Sequence, residues 1–121
     1  MPRILIADDD DELRLALAQL LELEGFQIAG APDGPAALNL AHQCHYDLIL
    51  LDVKMPGPDG LEVLAALHAQ LPDIPIIMMS GQTGRNTVAN ALRYGASDFI
   101  MKPFNDEFVL LAVRRALRLP G

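Results

Sequence analysis

The stretch Ile4-Leu5-Ile6-Ala7-Asp8-Asp9 decides the fold class of this chain, because three later stretches repeat its design. Each is a short apolar run that stops at polar residues: Leu48–Asp52, Ile76–Ser80 and Phe99–Lys102. Apolar runs of this length, bounded by Gly, Pro and Asp, indicate strands buried on both faces. If the strands are parallel, their carboxyl ends lie along one edge, where open α/β sheets place their chemistry. The polar residues expected at that edge are Asp8, Asp9, Asp52, Ser80 and Lys102.

Composition limits the classes of protein that remain. The chain has 121 residues, of which 51% are hydrophobic and 21% charged, which fits one domain with a sizeable core. Its net charge of −7 opposes unassisted binding to DNA, RNA or anionic lipid. The one cysteine, Cys44, forms no intrachain disulfide, and neither a signal-peptide pattern nor a membrane-spanning apolar stretch is present. We therefore expect a soluble, cytoplasmic domain.

Predicted strands and helices alternate along the whole chain. The predicted strands cover residues 4–7, 26–29, 46–52, 76–79 and 98–101. The predicted helices run from a cap at Asp10 or Asp11 to about Glu24, then over 35–42, 61–70 and 85–93, and from a cap at Asn105 to about Arg118. Loops rich in Gly, Pro and polar residues cover 53–60 and 81–84. Five strands alternating with five helices through short connections predict right-handed crossovers and a three-layer α/β fold with a parallel sheet.

For side chains outside the polar site, the sequence predicts only whether they are buried or exposed. In the last helix, the candidate core residues are Phe108, Leu111, Ala112 and Leu117. The methionines Met78, Met79 and Met101 are expected to fill the core, and Cys44 to be buried or half-buried. The histidines His42, His45 and His68 have no metal-ligand spacing, so surface positions are favoured for them.

The three acids at the strand ends would repel one another if they converge. Two unit charges 4 Å apart interact by about 4 kcal/mol at an effective dielectric near 20, so at least one carboxyl pKa would rise. A divalent cation removes this conflict, and a few hard oxygen ligands suit Mg²⁺, which usually works beside a phosphate. Lys102 is the one cation that the predicted arrangement brings near the acids. The pattern of Asp8, Asp9 and Asp52 therefore predicts metal binding.

A carboxylate beside such a cation can act as a nucleophile on phosphorus. Asp52 is the best candidate, because its strand is expected in the middle of the site. Lys102, the cation and the backbone amide after Ser80 would share the charge on the phosphoryl oxygens. The Ser80 hydroxyl could donate a hydrogen bond to the new phosphoryl group.

These stretches together resemble one known family. The chain resembles a two-component response regulator receiver domain over residues 1–121, and the order and spacing of its motifs carry the resemblance. The matching stretches are Ile4–Asp10, Leu50–Gly60, Met79–Gly81 and Gly95–Phe104. The resemblance implies a flavodoxin-like fold with strand order 2-1-3-4-5. It also implies that Asp52 accepts a phosphoryl group from a phosphohistidine.

The resemblance assigns roles to the remaining site residues. It implies that Mg²⁺ is held by Asp9, Asp52 and the backbone carbonyl of Lys54, with Asp8 acting through water. It implies that Lys102 pairs with the phosphoryl oxygens after a cis Lys102–Pro103 peptide, while Ser80 moves toward the phosphoryl group. Phe99 would swing inward, and the face made by helix four, strand five and helix five would change.

The resemblance also implies partners. These are a sensor histidine kinase or phosphotransfer protein, a C-terminal output domain outside this chain, and a second copy on phosphorylation. Neither nucleic acid nor membrane is expected to be bound directly by this chain. The domain would be a signalling module rather than an enzyme, catalysing only its own phosphorylation and dephosphorylation.

Other interpretations remain open at this point. Asp10 and Asp11 are better explained as helix-capping acids, and Ser80 could merely cap a turn. A dehalogenase-type phosphatase would need a general acid two residues after its nucleophile, where this chain has Lys54. A flavin carrier of the same fold would need a phosphate-binding loop where this chain has four aspartates, Asp8–Asp11. A receiver-like module that is never phosphorylated is the third alternative.

Overall fold

The computed structural model describes residues 1–54, 60–81 and 85–119, which form five strands and five helices. The strands are β1 Arg3–Ala7, β2 Gln27–Ala31, β3 Leu48–Asp52, β4 Ile76–Ser80 and β5 Asp98–Met101. The helices are α1 Asp11–Leu23, α2 Gly34–Gln43, α3 Gly60–Gln70, α4 Arg85–Arg93 and α5 Asp106–Ala116. The predicted loops over 53–60 and 81–84 include residues 55–59 and 82–84, which lie outside the described residues.

The strands form one parallel sheet in the order β2-β1-β3-β4-β5. Within the central strand β3 every residue is buried, as the unbroken apolar run predicts for a strand covered on both faces. The alternation of elements, the parallel pairing and the strand order confirm the flavodoxin-like fold expected from the sequence.

Side chains on the two faces of the sheet build two separate cores. One face carries Leu5, Ile49, Leu51 and Met78, which pack with buried residues of α2 and α3. The other face carries Ile4, Ile6, Leu50 and Met79 with Leu17 of α1 and Val109 of α5. Because successive strand residues point to opposite faces, one apolar run supplies both cores and sets up three layers.

Local signals in the sequence account for four of the helix ends. Asp10, Asp33 and Asn105 cap α1, α2 and α5 by accepting hydrogen bonds from backbone amides of the first turn. Gly25 follows α1 with a φ of 93°, the left-handed conformation that ends many helices. No helix in the described ranges is both long and apolar enough to span a membrane.

Some predicted bounds shift by up to two residues. Strand β2 continues to Ala31 rather than Ala29, because it pairs with β1 along that strand's full length. Strand β3 begins at Leu48 rather than Tyr46. Helix α5 ends at Ala116 rather than about Arg118, whose φ of 57° is incompatible with a continuing right-handed helix.

Three side-chain predictions are wrong, and a fourth, the surface position of His68, is met only in part. Phe108 is 62% exposed and Leu111 48% exposed, because α5 turns the neighbouring stripe of Val109, Ala112 and Val113 toward the sheet. Met101 is 54% exposed at the end of the edge strand β5. His68 is half-buried against Gly95, where α3 meets the chain leading into β5. The predicted burial of Met78 and Met79, the half-burial of Cys44 and the exposure of His42 and His45 are confirmed.

Candidate functional site

Three backbone hydrogen bonds extend the pairing between neighbouring strands to the polar residues at the carboxyl edge of the sheet. The Asp8 amide donates to the Ala31 carbonyl at 3.1 Å, just beyond β1 and β2. The Val53 amide donates to the Met79 carbonyl at 2.9 Å, and the Lys102 amide to the Ser80 carbonyl at 2.7 Å. The predicted site residues therefore extend from rigid strand ends rather than from the interiors of loops.

The acids predicted to converge do so. Carboxylate oxygens of Asp8, Asp9 and Asp52 lie within 4.8 Å of one another, a grouping that could hold a metal ion. Asp8 is fully buried and Asp52 is 4% exposed, whereas Asp9 is exposed. The cluster thus has two buried oxygen donors at its base and one solvent-facing donor, which suits a cation that keeps some of its water.

Lys102 lies against the two buried acids. Its Nζ is 3.0 Å from Asp8 Oδ2 and 3.3 Å from Asp52 Oδ1, and its side chain is 23% exposed. Burial acts to lower the pKa of Lys102, but the hydrogen bond to Asp8 and the charges of both carboxylates outweigh it and raise that pKa. Lys102 is therefore a cation held inside the site rather than a solvated surface amine.

Asp52 has the most perturbed environment of the cluster. Burial, followed by the negative charge of Asp8, raises the pKa of Asp52 to about 6. Lys102 acts in the opposite direction, as does a hydrogen bond from the Lys54 amide. Asp52 is thus mostly ionised at neutral pH, yet its charge is held at a higher free energy than in water, which favours association with a cation or an electrophile.

The remaining predicted residues lie on β4 and β5 or follow β3 and β5. Ser80 ends β4, the strand beside β3, and is 2% exposed. Lys54 is exposed directly after β3, and the Lys102–Pro103 peptide is cis, as the resemblance implied. Phe99 is half-buried and packs against the core cluster on the α3 and α4 side of the sheet.

Gly60 is a site residue to which the sequence reasoning assigned no role of its own. A Cβ at Gly60 would lie 2.3 Å from the Val53 carbonyl oxygen and 2.7 Å from that of Asp52. The Gly60 amide also donates to the Val53 carbonyl at 3.0 Å. The start of α3 therefore presses directly on the backbone that carries Asp52, and only glycine fits there. A glycine eight residues beyond the candidate nucleophile was the available signal.

Arg14 is a second basic residue near the acids, although the sequence reasoning counted Lys102 alone. Its Nη1 donates to the Asp8 carbonyl at 2.6 Å, and its Nη2 contacts Asp11 Oδ1 at 2.6 Å. An arginine one turn into α1 was the only hint in the sequence, and periodicity does not say which way such a side chain turns.

An apolar groove lies beside the site, on the β5 and α5 side of the domain. It has a volume of about 400 Å³. Its apolar lining includes Phe99, Met101, Phe104, Phe108 and Leu111. Because Phe99 also packs against the core, one residue of the groove lining reaches both the core and an exposed apolar surface.

Comparison with known proteins agrees with the fold. The model of the family described as the response regulator receiver domain matches residues 4–114. The chain belongs to this family, which makes it a receiver domain of two-component signal transduction.

Similar proteins include bacterial regulators that are longer than this chain. It is 42% identical to the transcriptional regulatory protein CpxR of Escherichia coli (strain K12) over 98% of its length, covering 50% of that protein. It is 38% identical to the regulatory protein AtoC of the same strain over 97% of its length, covering 25% of that protein. The chain therefore spans half or less of these two relatives.

Solved structures give the same fold. A CheY-like receiver domain protein from Methanospirillum hungatei JF-1 superposes with a TM-score of 0.95 at 31% identity, covering 98% of this chain and 94% of that one. NtrX from Brucella abortus superposes with a TM-score of 0.92 at 35% identity, covering 97% of this chain and 27% of that one.

Proposed function

We propose that residues 1–121 form one phosphoacceptor receiver domain in which Asp52 takes a phosphoryl group from a phosphohistidine on a sensor histidine kinase or phosphotransfer protein. One observation carries the proposal: a buried carboxylate, Asp52, groups with two further acids and lies 3.3 Å from the Lys102 amine. The family to which the chain belongs supports the same reading.

Mg²⁺ is the proposed cofactor. The oxygen donors of Asp9 and Asp52, with the Lys54 backbone carbonyl and with Asp8 through water, would hold it, and the mutual spacing of the three acids fits an oxygen-liganded cation. When bound, the ion would supply charge neutralisation to the transferring phosphoryl group. A bound cation would also relieve the repulsion between the buried carboxylates Asp8 and Asp52, which contributes to the raised pKa of Asp52.

The proposed chemical step uses Asp52 as nucleophile. An Asp52 carboxylate oxygen attacks phosphorus and forms an O–P bond while the N–P bond of the phosphohistidine breaks, and the bonding electron pair stays on the imidazole nitrogen. With its pKa at about 6, Asp52 carries the required negative charge at neutral pH. Lys102 and the Ser80 hydroxyl would stabilise charge on the phosphoryl oxygens.

The proposed output is a change at one face of the domain. The phosphoryl group on Asp52 would carry nearly two negative charges in place of the single charge of the carboxylate, and Ser80 would move toward it while Phe99 turns inward. Shifting a 1:99 population to 99:1 takes about 5.5 kcal/mol of differential stabilisation. The altered face would be that of α4, β5 and α5, which includes the apolar groove beside Phe99. A C-terminal output domain, a separate partner or a second copy would bind there.

The alternatives fit less well. A dehalogenase-type phosphatase needs an acid two residues after Asp52, and that residue is Lys54. A flavin carrier needs a phosphate-binding loop after β1, where Asp8 and Asp9 would repel a phosphate. We therefore propose a signalling module whose only catalysis is its own phosphorylation and dephosphorylation. The phosphorylation assay below distinguishes this function from that of a module that is never phosphorylated.

The test is intact-protein mass spectrometry after incubation with acetyl phosphate and Mg²⁺. We expect the wild-type chain to gain the mass of one phosphoryl group and Asp52→Asn to gain none, with both variants folded by circular dichroism. The matched control is Asp73→Asn, an exposed acid at the opposite edge of the sheet that should be phosphorylated normally.

Two outcomes would contradict the proposal. Equal modification of Asp52→Asn and wild type would place the phosphoryl group on another residue. A wild-type chain that stays unmodified with acetyl phosphate and with phosphorylated kinases would identify the module as one that works without phosphorylation.

A further inference from the structure

Arg14 bridges the two ends of the segment that joins β1 to α1. Its guanidinium reaches back along α1 and donates from Nη1 to the Asp8 carbonyl at 2.6 Å. The other nitrogen, Nη2, contacts Asp11 Oδ1 at 2.6 Å. The segment between these anchors contains Asp9, the exposed acid of the cluster.

The contact with the Asp8 carbonyl completes the fixation of Asp8. The Asp8 amide bonds to Ala31, Oδ1 accepts from the Asp10 amide at 3.0 Å, and Oδ2 lies 3.0 Å from Lys102 Nζ. Arg14 donates a hydrogen bond to the Asp8 carbonyl, so that each polar group of Asp8 has a partner. On the other side of Asp9, Asp10 is fixed by capping Leu13. The direction of Asp9 is therefore set by a backbone held on both sides.

Gly30 of β2 leaves the space through which Arg14 passes. A Cβ at Gly30 would lie 3.1 Å from Arg14 Cδ and 3.3 Å from Nε. Gly30 is exposed and sits in a strand with no left-handed φ, so its lack of a side chain serves this crossing rather than a backbone conformation. Gly30 of β2 and Arg14 of α1 thus form one contact at the edge of the site.

We infer that Arg14, with the space that Gly30 leaves, is a positioning residue for cation binding: it holds the Asp8–Asp11 segment so that Asp8 and Asp9 are prearranged beside Asp52. The inference rests on the proposed function in that it takes this cluster as the Mg²⁺ site. Groups that orient metal ligands typically change metal affinity by tenfold or more when removed.

A purely electrostatic role for Arg14 predicts the opposite sign. A guanidinium close to a cation site repels the cation, so removing its charge would tighten Mg²⁺ binding. A purely structural role predicts little, since the contact to Asp11 is an ion pair with a side chain that is 83% exposed. The direction of the change in Mg²⁺ affinity therefore distinguishes positioning from charge.

The experiment measures Mg²⁺ binding to the whole chain by calorimetry, with the metal alone as ligand. We expect Arg14→Ala to raise the dissociation constant about tenfold. Arg14→Lys should recover only part of the affinity, because a single ammonium replaces two nitrogens of a rigid fork. Arg115→Ala is the matched control: it removes the same charge from an exposed side chain of α5 and should leave the affinity unchanged.

Gly30→Val tests the same inference by a change in β2, the strand against which Arg14 lies. Valine is favoured in strands, so the variant should fold, yet its side chain would displace Arg14. We expect Gly30→Val to weaken Mg²⁺ binding as Arg14→Ala does, and to have no further effect in the Arg14→Ala background, since the arginine it displaces is already gone.

Tighter or unchanged Mg²⁺ binding in Arg14→Ala would overturn the inference, as would additive effects of the two substitutions. A wild-type chain with no measurable Mg²⁺ binding would instead contradict the proposed cation site itself. The acetyl phosphate assay on Asp52 is read separately, so the two failures are distinguishable.

Discussion

Gly60 connects helix α3 to the backbone of the candidate phosphoacceptor. Its position is set by space, because an added Cβ would meet the carbonyl oxygens of Val53 and Asp52 at 2.3 and 2.7 Å. Backbone atoms cannot move aside as the end of a flexible side chain can. An alanine there would push α3 and the Asp52 peptide apart.

Gly60→Ala should therefore destabilise the domain. Overpacking typically costs about 1–3 kcal/mol, which exceeds the gain of up to about 1 kcal/mol from replacing glycine with alanine in a helix. Urea unfolding measures the loss, and the rate of modification by acetyl phosphate should fall as well. Gly81→Ala is the matched control for stability, because a Cβ there meets no atom of the described residues within 4 Å. Equal stability of the two variants would show that the contact relaxes freely.

At the scale of elements, helix α5 presents two apolar stripes to different surroundings. Val109, Ala112 and Val113 are buried against the sheet, whereas Phe108 and Leu111 are exposed and line the groove beside β5. One stripe holds the helix on the core. The other is available to the partner or second copy proposed above.

Substitutions in the two stripes should separate stability from binding. Val109→Ala removes two buried carbons and should lower the free energy of unfolding by about 2 kcal/mol, including the cavity left behind. Phe108→Gln should change it by less than about 1 kcal/mol, since the side chain is already 62% exposed. Urea unfolding of both variants measures the difference. A larger loss for Phe108→Gln than for Val109→Ala would contradict this division of α5.

At the scale of the whole molecule, the acidic cluster makes the stability of the metal-free domain depend on pH. The pKa of Asp52 is about 6 in the folded state against an ordinary value of 3.8, so between these pH values the folded state holds a proton that the unfolded state has lost. Stability should therefore fall as pH rises through this window. Lys102 has a raised pKa, so its stabilising contribution is present below pH 10.5 and is lost only above that value.

Asp52→Asn should remove this dependence. Without metal, the variant should lose less stability than the wild type between about pH 4 and pH 7, by an amount on the order of 1–3 kcal/mol. Thermal or urea unfolding in a chelator across this range measures it, with Asp73→Asn as the control that retains the wild-type profile. Parallel profiles for wild type and Asp52→Asn would show that the Asp52 carboxyl is not strained in the metal-free protein.

The strands and the acids at their ends could be predicted because both depend on short stretches of sequence. An apolar run such as Leu48–Leu51 is typical of a strand buried on both faces, and a residue that ends such a strand must lie at the sheet edge. Asp8, Asp9, Asp52, Ser80 and Lys102 were therefore assigned to one crevice, where the structure brings them together.

Only the tertiary structure decided which apolar residues of α5 face inward, that Met101 ends exposed on the edge strand, and that Arg14 and Gly60 contact the backbone beside the acidic cluster. Seven of the eleven residues of α5 are apolar, so helical periodicity did not single out the buried stripe. Arg14 and Gly60 act through contacts with the backbone of Asp8, Asp52 and Val53, and the spacing of residue types does not encode such contacts. The sequence alone determined what this sheet brings to its edge, because each strand's final residue is set locally and the alternation of strands with helices makes the strands parallel. How firmly those groups are held was decided by packing between segments far apart along the chain.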